Sequence, residues 1–112
     1  MLGDGTFGFH CAELDTAVRH GLDYVAVIGN DAAWNAEHQI QLKTYGAARA
    51  HGCELLPTRY DQVAARSGPH PEHVARPEAL AAALDRAASA RRVACLNVMI
   101  ERLPAPVYHK PR

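Results

Sequence analysis

The stretch Tyr24-Val25-Ala26-Val27-Ile28, running into Gly29-Asn30-Asp31, is a continuous apolar run of β-branched and aromatic residues that ends in a turn. A strand without polar alternation is apolar on both faces, and such strands belong to parallel sheets covered by helices. Upstream, Cys11, Leu14, Ala17 and Val18 repeat at helical spacing over 11–20, while Glu13, Asp15 and Arg19 fall on other faces. Arg19 and His20 in the last turn, with Gly21 after them, suit a helix C-terminus closed by a left-handed cap. Met1-Leu2 reads as the end of an earlier strand, which sets Gly3-Asp4-Gly5-Thr6 at a strand-to-helix junction.

Downstream, 33–51 reads as helix with a break at Gly46, 53–59 as irregular chain, and 60–66 as a short helix ended by Ser67-Gly68-Pro69. His70-Pro71-Glu72-His73 lies in a proline-rich stretch, and its two histidines lack a third metal ligand nearby. Pro77 suits a helix N1 position, with Leu80, Leu84 and Ala87 on one stripe, and 93–100 is a second apolar strand. This alternation predicts an α/β fold, a doubly wound parallel sheet with helices on both faces, over 1–103, followed by a tail over 104–112.

The 112 residues allow one domain at most, and 48% apolar content is enough for a real core. Twelve basic against twelve acidic side chains leave no global positive field to gather nucleic acid or anionic membrane. Cys11, Cys53 and Cys95 form no Cys-x-x-Cys pair, so they read as reduced thiols of a cytoplasmic protein. No export signal and no membrane-spanning run is visible.

Gly3-Asp4-Gly5-Thr6 and Asn30-Asp31 would both lie at the carboxyl ends of neighbouring parallel strands, where open α/β sheets bind ligands. Glycines there let backbone approach a ligand, and free amides entering a helix favour phosphate. Two carboxylates and an amide oxygen are hard ligands that suit Mg²⁺ or Ca²⁺, and such an ion would bridge to a diphosphate. His10 reads as a helix-entry residue, Glu37 and His38 as solvent-facing, Trp34 as a packing residue and Arg91-Arg92 as charges at a helix C-terminus.

Gly3-Asp4-Gly5, a helix, an apolar strand and then Asn30-Asp31 resembles the binding motif of thiamine diphosphate (ThDP) enzymes. The text GDGTFGFHCAELDTAVRHGLDYVAVIGNDAAW, together with Tyr60-Asp61, the run from Arg76 to Leu80 and the strand from Val93, is similar to the C-terminal domain of the acetolactate synthase group. The resemblance implies ThDP and Mg²⁺ as cofactors, with Asp4, Asp31 and the carbonyl of Ala33 on the metal. It implies Gly3, Gly5, Thr6, Asn30 and Ala32 as cofactor-binding residues, Gly5 and Thr6 as donors to the diphosphate. Asp31 departs from the commoner Asn and adds negative charge to the site.

The implied activity makes or breaks a carbon–carbon bond next to a carbonyl, as a transferase or lyase acting on 2-keto acids or 2-hydroxyacyl-CoA substrates. In that family a glutamate on a separate N-terminal domain helps activate the cofactor, so no catalytic residue is assigned within these residues. The expectation is therefore a C-terminal part of a larger enzyme, homo-oligomeric when complete and silent on its own. The competing expectation is a non-catalytic truncated or split-gene fragment that needs a partner chain, and an unrelated regulatory module binding Mg²⁺ and phosphate is a third.

Overall fold

Strands β1 (Leu2–Gly3), β2 (Val25–Asn30), β3 (His70–Val74) and β4 (Ala94–Met99) form one parallel sheet in the order β1-β2-β4-β3. The computed structural model describes residues 1–106, so 107–112 of the expected tail lie outside the described residues. β2 and β4 pair along their whole length, from Val25 opposite Ala94 to Asn30 opposite Met99. Gly29 and Asn30, read as turn residues, are thus the last two residues of a strand.

Alternation along these strands sends side chains to two separate cores. On one face Ile28 and Cys95 meet Phe7 of α1 (Asp4–His10), Leu14 and Ala17 of α2 (Glu13–Arg19) and Ala64 of α4 (Tyr60–Ala65). On the other, Val74, Ala94 and Leu96 meet Ala83 and Ala87 of α5 (Leu80–Ser89). Helices therefore cover both faces, as the apolar strands required, and burial of a side chain such as Leu96 contributes about 2 kcal/mol.

The helix expected over 11–20 is α2, and a separate short helix, α1, precedes it across a turn at Cys11 and Ala12. Gly21 takes the left-handed cap conformation, with φ +60°. α3 (Asn35–Tyr45) starts two residues after the expected position and ends at Gly46, followed by one 3-10 turn, Ala47–Arg49. None of its residues is buried.

β3 occupies the proline-rich stretch, to which the sequence pattern assigned no element. Pro71 donates no backbone hydrogen bond, and β3 accepts it because it is an edge strand, paired only with β4. Residues three apart on a strand face opposite ways, which separates the two histidines. His70 Nε2 lies 2.9 Å from Glu72 Oε1, and Arg86 of α5 donates to both Glu72 oxygens at 2.8 Å. His73 turns instead toward Asp61 and Asn97. Cys11, Cys53 and Cys95 are free, and burial pushes the Cys95 thiol up to about 12. Among the described residues no helix is long and apolar enough to cross a membrane.

The Glu72–Arg86 pair ties the edge strand to α5 and carries a pH signature. Arg86's hydrogen bonds hold the Glu72 carboxyl down at about 2. A carboxyl lowered in the folded state stabilises it above the unfolded value and loses that contribution as pH falls. Urea melts should show Glu72→Gln destabilised by about 1 kcal/mol near neutral pH, as expected for a well-formed surface pair. The difference should close as pH drops from the ordinary glutamate range toward about 2. A gap independent of pH would assign the loss to packing.

Candidate functional site

At the carboxyl ends of β1, β2 and β4 lies a cavity of about 230 Å³ whose wall includes Gly3, Asp4, Gly5, Thr6, Asp31 and Ala33. Parallel pairing of Leu2 with Ile28 and Gly3 with Gly29 brings Asp4 and Asp31, one just past each strand, to the same space. The two loops that sequence spacing singled out are adjacent.

Asp4 is 1% exposed, and its Oδ2 has no hydrogen-bond partner among the described residues. Burial, and secondly the charge of Asp31, push its carboxyl above the usual range. A buried carboxylate oxygen without a donor is costly, and a hard cation is its natural complement.

The turn after β2 is held in an uncommon shape. Ala32 has φ +53°, a left-handed conformation that costs a non-glycine residue about 1–3 kcal/mol. Several contacts hold it. The Ala32 N–H donates to Asn30 Oδ1 at 3.1 Å, and Asn30 Nδ2 donates to Asn97 Oδ1 at 3.0 Å and to the Thr58 carbonyl at 2.9 Å. Leu55 N–H donates to the Ala32 carbonyl and Trp34 N–H to the Cys53 carbonyl, both at 2.8 Å, so Ala33 bridges to Glu54.

From beyond β4, Arg102 donates to the carbonyls of Asp31 at 3.2 Å and Ala32 at 2.7 Å, and to Glu54 Oε1 at 3.1 Å. The carbonyls of Asp31 and Ala32 are therefore used internally. That of Ala33, whose residue is in the cavity wall, has no partner among the described residues.

The lining of this cavity does not include Asn30 and Ala32, two of the residues that the resemblance implies for cofactor binding. Asn30 is fully buried with both polar atoms of its side chain engaged, and these bonds shape the turn.

Gly5 has a steric reason to be glycine. A Cβ there would stand 2.9 Å from the indole of Trp34, which packs across it. The Phe9 ring lies 5.0 Å from Trp34 on a tilted plane. Trp34 is thus the packing residue its position suggested, and also part of the wall.

His10 is exposed at the end of α1 and outside the wall. His38, expected to face solvent, is half-buried with Nδ1 unpartnered, in a separate cavity of about 510 Å³ shared with His51 and Cys53. Glu37 is exposed at the rim of the smaller cavity.

Sequence reasoning missed the polar layer behind the turn. Arg59 donates to both oxygens of buried Asp61, at 2.9 and 2.8 Å. Burial raises the Asp61 carboxyl, and the hydrogen bonds and charge of Arg59, with His73, outweigh that and hold it below its usual range. Asn97 Nδ2 lies 3.4 Å from His73 Nδ1 and links this pair to Asn30. A lone Asn in the apolar run 93–100 was the available clue.

Comparison with known proteins places this geometry. Over 102 residues the chain is 42% identical to a probable acetolactate synthase of Mycobacterium bovis, covering 90% of this chain and 18% of that protein. A 2-hydroxyacyl-CoA lyase 2 of Xenopus laevis is 46% identical over 65 residues, covering 58% of this chain and 10% of that protein. The chain thus spans under a fifth of the length of these relatives.

Among solved structures, benzoylformate decarboxylase from Polynucleobacter necessarius superposes with TM-score 0.83 at 19% identity, over 95% of this chain and 20% of that one. A ThDP-dependent 4-hydroxybenzoylformate decarboxylase from Rhodococcus jostii gives 0.81 at 21% identity, over 89% and 19%. These likenesses show the shared fold. Residues 1–98, which hold β1 to β3, all but the last residue of β4 and both turns of the cavity, match the thiamine pyrophosphate enzyme C-terminal TPP binding domain, and the chain belongs to that family.

Proposed function

We propose that this chain binds ThDP through Mg²⁺ as part of an acetolactate synthase-like enzyme that makes or breaks carbon–carbon bonds next to a carbonyl. The observation that carries this reading is the buried, unpartnered Oδ2 of Asp4 beside Asp31 in a cavity at the strand ends. Asp4, Asp31 and the free carbonyl of Ala33 are hard oxygen donors that fit Mg²⁺. Gly3, Gly5 and Thr6 in the same wall would flank the diphosphate, while Asn30 and Ala32 hold the turn behind it.

When bound, ThDP supplies the electron sink for chemistry next to a carbonyl, and the protein supplies binding and orientation. The substrate class, 2-keto acids or 2-hydroxyacyl-CoA compounds, follows from the likeness to acetolactate synthases and 2-hydroxyacyl-CoA lyases. Transfer or lyase chemistry, a homo-oligomeric complete enzyme and a cytoplasmic setting, which the three free thiols suit, belong to the same reading.

A second reading is a partner-dependent piece without turnover of its own. It is favoured by the share of the relatives' length and by exposed apolar groups such as Phe9, Ile40 and Leu56. Assay of the 112-residue chain with Mg²⁺, ThDP and pyruvate should give no acetolactate or carbon dioxide. Turnover by a well-folded, partner-free preparation would overturn that reading.

Calorimetric titration separates the ligand roles. Asp4→Ala and Asp31→Ala should each abolish Mg²⁺-dependent ThDP binding with the fold retained. Asp31→Asn, which keeps an oxygen ligand, should bind with altered preference among divalent ions. Unchanged affinity in both alanine variants would remove the metal assignment. Loss in Asp31→Asn as complete as in Asp31→Ala would give Asp31 another role.

The metal-free chain should show what the site costs in stability. A carboxyl raised in the folded state destabilises it once ionised, so Asp4→Asn should stabilise the metal-free chain at neutral pH by on the order of 1 kcal/mol. That gain should fade in acid, where Asp4 takes up a proton, and added Mg²⁺ should raise the melting temperature of the wild type alone. A variant less stable than wild type without metal would contradict this account.

A further inference from the structure

We propose that Arg102 is a positioning residue for the metal turn, an inference that rests on the Mg²⁺–diphosphate reading of this site. Its guanidinium lies behind the turn and is only partly exposed, with 31% of the side chain accessible. Three of its nitrogens reach three different acceptors: the carbonyls of Asp31 and Ala32 and the Glu54 carboxylate. A rigid fork of donors holds such a set in a way the single ammonium of lysine does not.

The effect on the turn is selective. Of the three successive carbonyls at Asp31, Ala32 and Ala33, Arg102 occupies the first two and leaves the third. It also grips the left-handed residue Ala32 from its carbonyl side, while Asn30 grips the N–H side. The Asp31 carboxylate and the Ala33 carbonyl flank that residue, so its conformation sets how the two oxygens are presented together. The link spans 70 and 71 residues of sequence, from the end of the last strand to the turn of the second.

Charge alone makes the opposite prediction, which gives the proposal a sign. A cation beside two carboxylates repels a divalent ion, so removing Arg102 would tighten metal binding if its charge were all that mattered. Removing a group that orients metal ligands weakens binding, typically by 10- to 100-fold.

The test uses the full chain with Mn²⁺ alone as the probe, followed by electron paramagnetic resonance and by the fluorescence of Trp34, the single tryptophan. Arg102→Ala should weaken Mn²⁺ binding about 10-fold with little change in melting temperature. Arg102→Lys, which keeps the charge, should recover only part of it. Added guanidinium chloride should restore binding to Arg102→Ala, with sodium chloride at equal ionic strength failing to do so.

Unchanged or tighter binding in Arg102→Ala would overturn the proposal and leave the function standing, provided Asp4→Ala still loses the metal. If the wild type binds no Mn²⁺, the functional reading itself fails. The positioning role is then judged in the metal-free chain, where Arg102→Ala should shift Trp34 emission and speed exchange of the Leu55 amide, which bonds to the Ala32 carbonyl. No change in either would overturn it there too.

Discussion

Asp4 holds a carboxylate oxygen where neither solvent nor a protein donor reaches it, with a second carboxylate beside it. Folding alone does not favour that arrangement, because each ionised group there is short of compensation. The sheet enforces it. β1 and β2 are parallel neighbours in register, so whatever follows Gly3 and Asn30 must meet at one end. Two apolar cores on the opposite faces of the sheet supply the stabilisation that offsets the strain at its edge.

The turn after β2 obeys the same division between support and presentation. Asn30 is a strand residue whose amide reads the Thr58 carbonyl and Asn97 on one side and the Ala32 N–H on the other. The side-chain amide of Asn30 is fully engaged, whereas Asp4 Oδ2 and the Ala33 carbonyl in the wall have no partner among the described residues. Buried polar groups are normally satisfied, so unpaired acceptors gathered in one cavity point to a missing donor or cation.

Much of this was legible because it is local. The apolar run from Val25 to Ile28, the cap at Gly21 and the break at Gly46 are written in consecutive residues, and so are Gly3-Asp4-Gly5 and Asn30-Asp31. β3 was illegible for a physical reason. An edge strand needs only one paired side and one buried face, so it can carry Pro71 and the polar His70, Glu72 and His73, which erase the strand pattern. Glu72 earns its place through Arg86, fourteen residues away. The support of the turn was equally hidden, since Asn97 lies 67 residues from Asn30 and Arg102 lies 70 from Ala32. No periodicity encodes such contacts; only the sheet order brings them together.

α3 shows how the site and the rest of the chain are balanced. It begins directly after Trp34, bonds through Asn35 to the Leu103 carbonyl and through Gln41 to the His51 amide, and buries none of its residues. Its start is nonetheless fixed, because Trp34 lies over Gly5 and stacks with Phe9, and the Trp34 amide is bonded to Cys53. The wall of the cavity is thus anchored at Trp34 while the helix beyond it stands clear of both cores. A helix that buries none of its residues adds little to the stability of this chain, because tertiary packing of an apolar face supplies most helical stability. The order it does have is passed to it by the residues that also line the site.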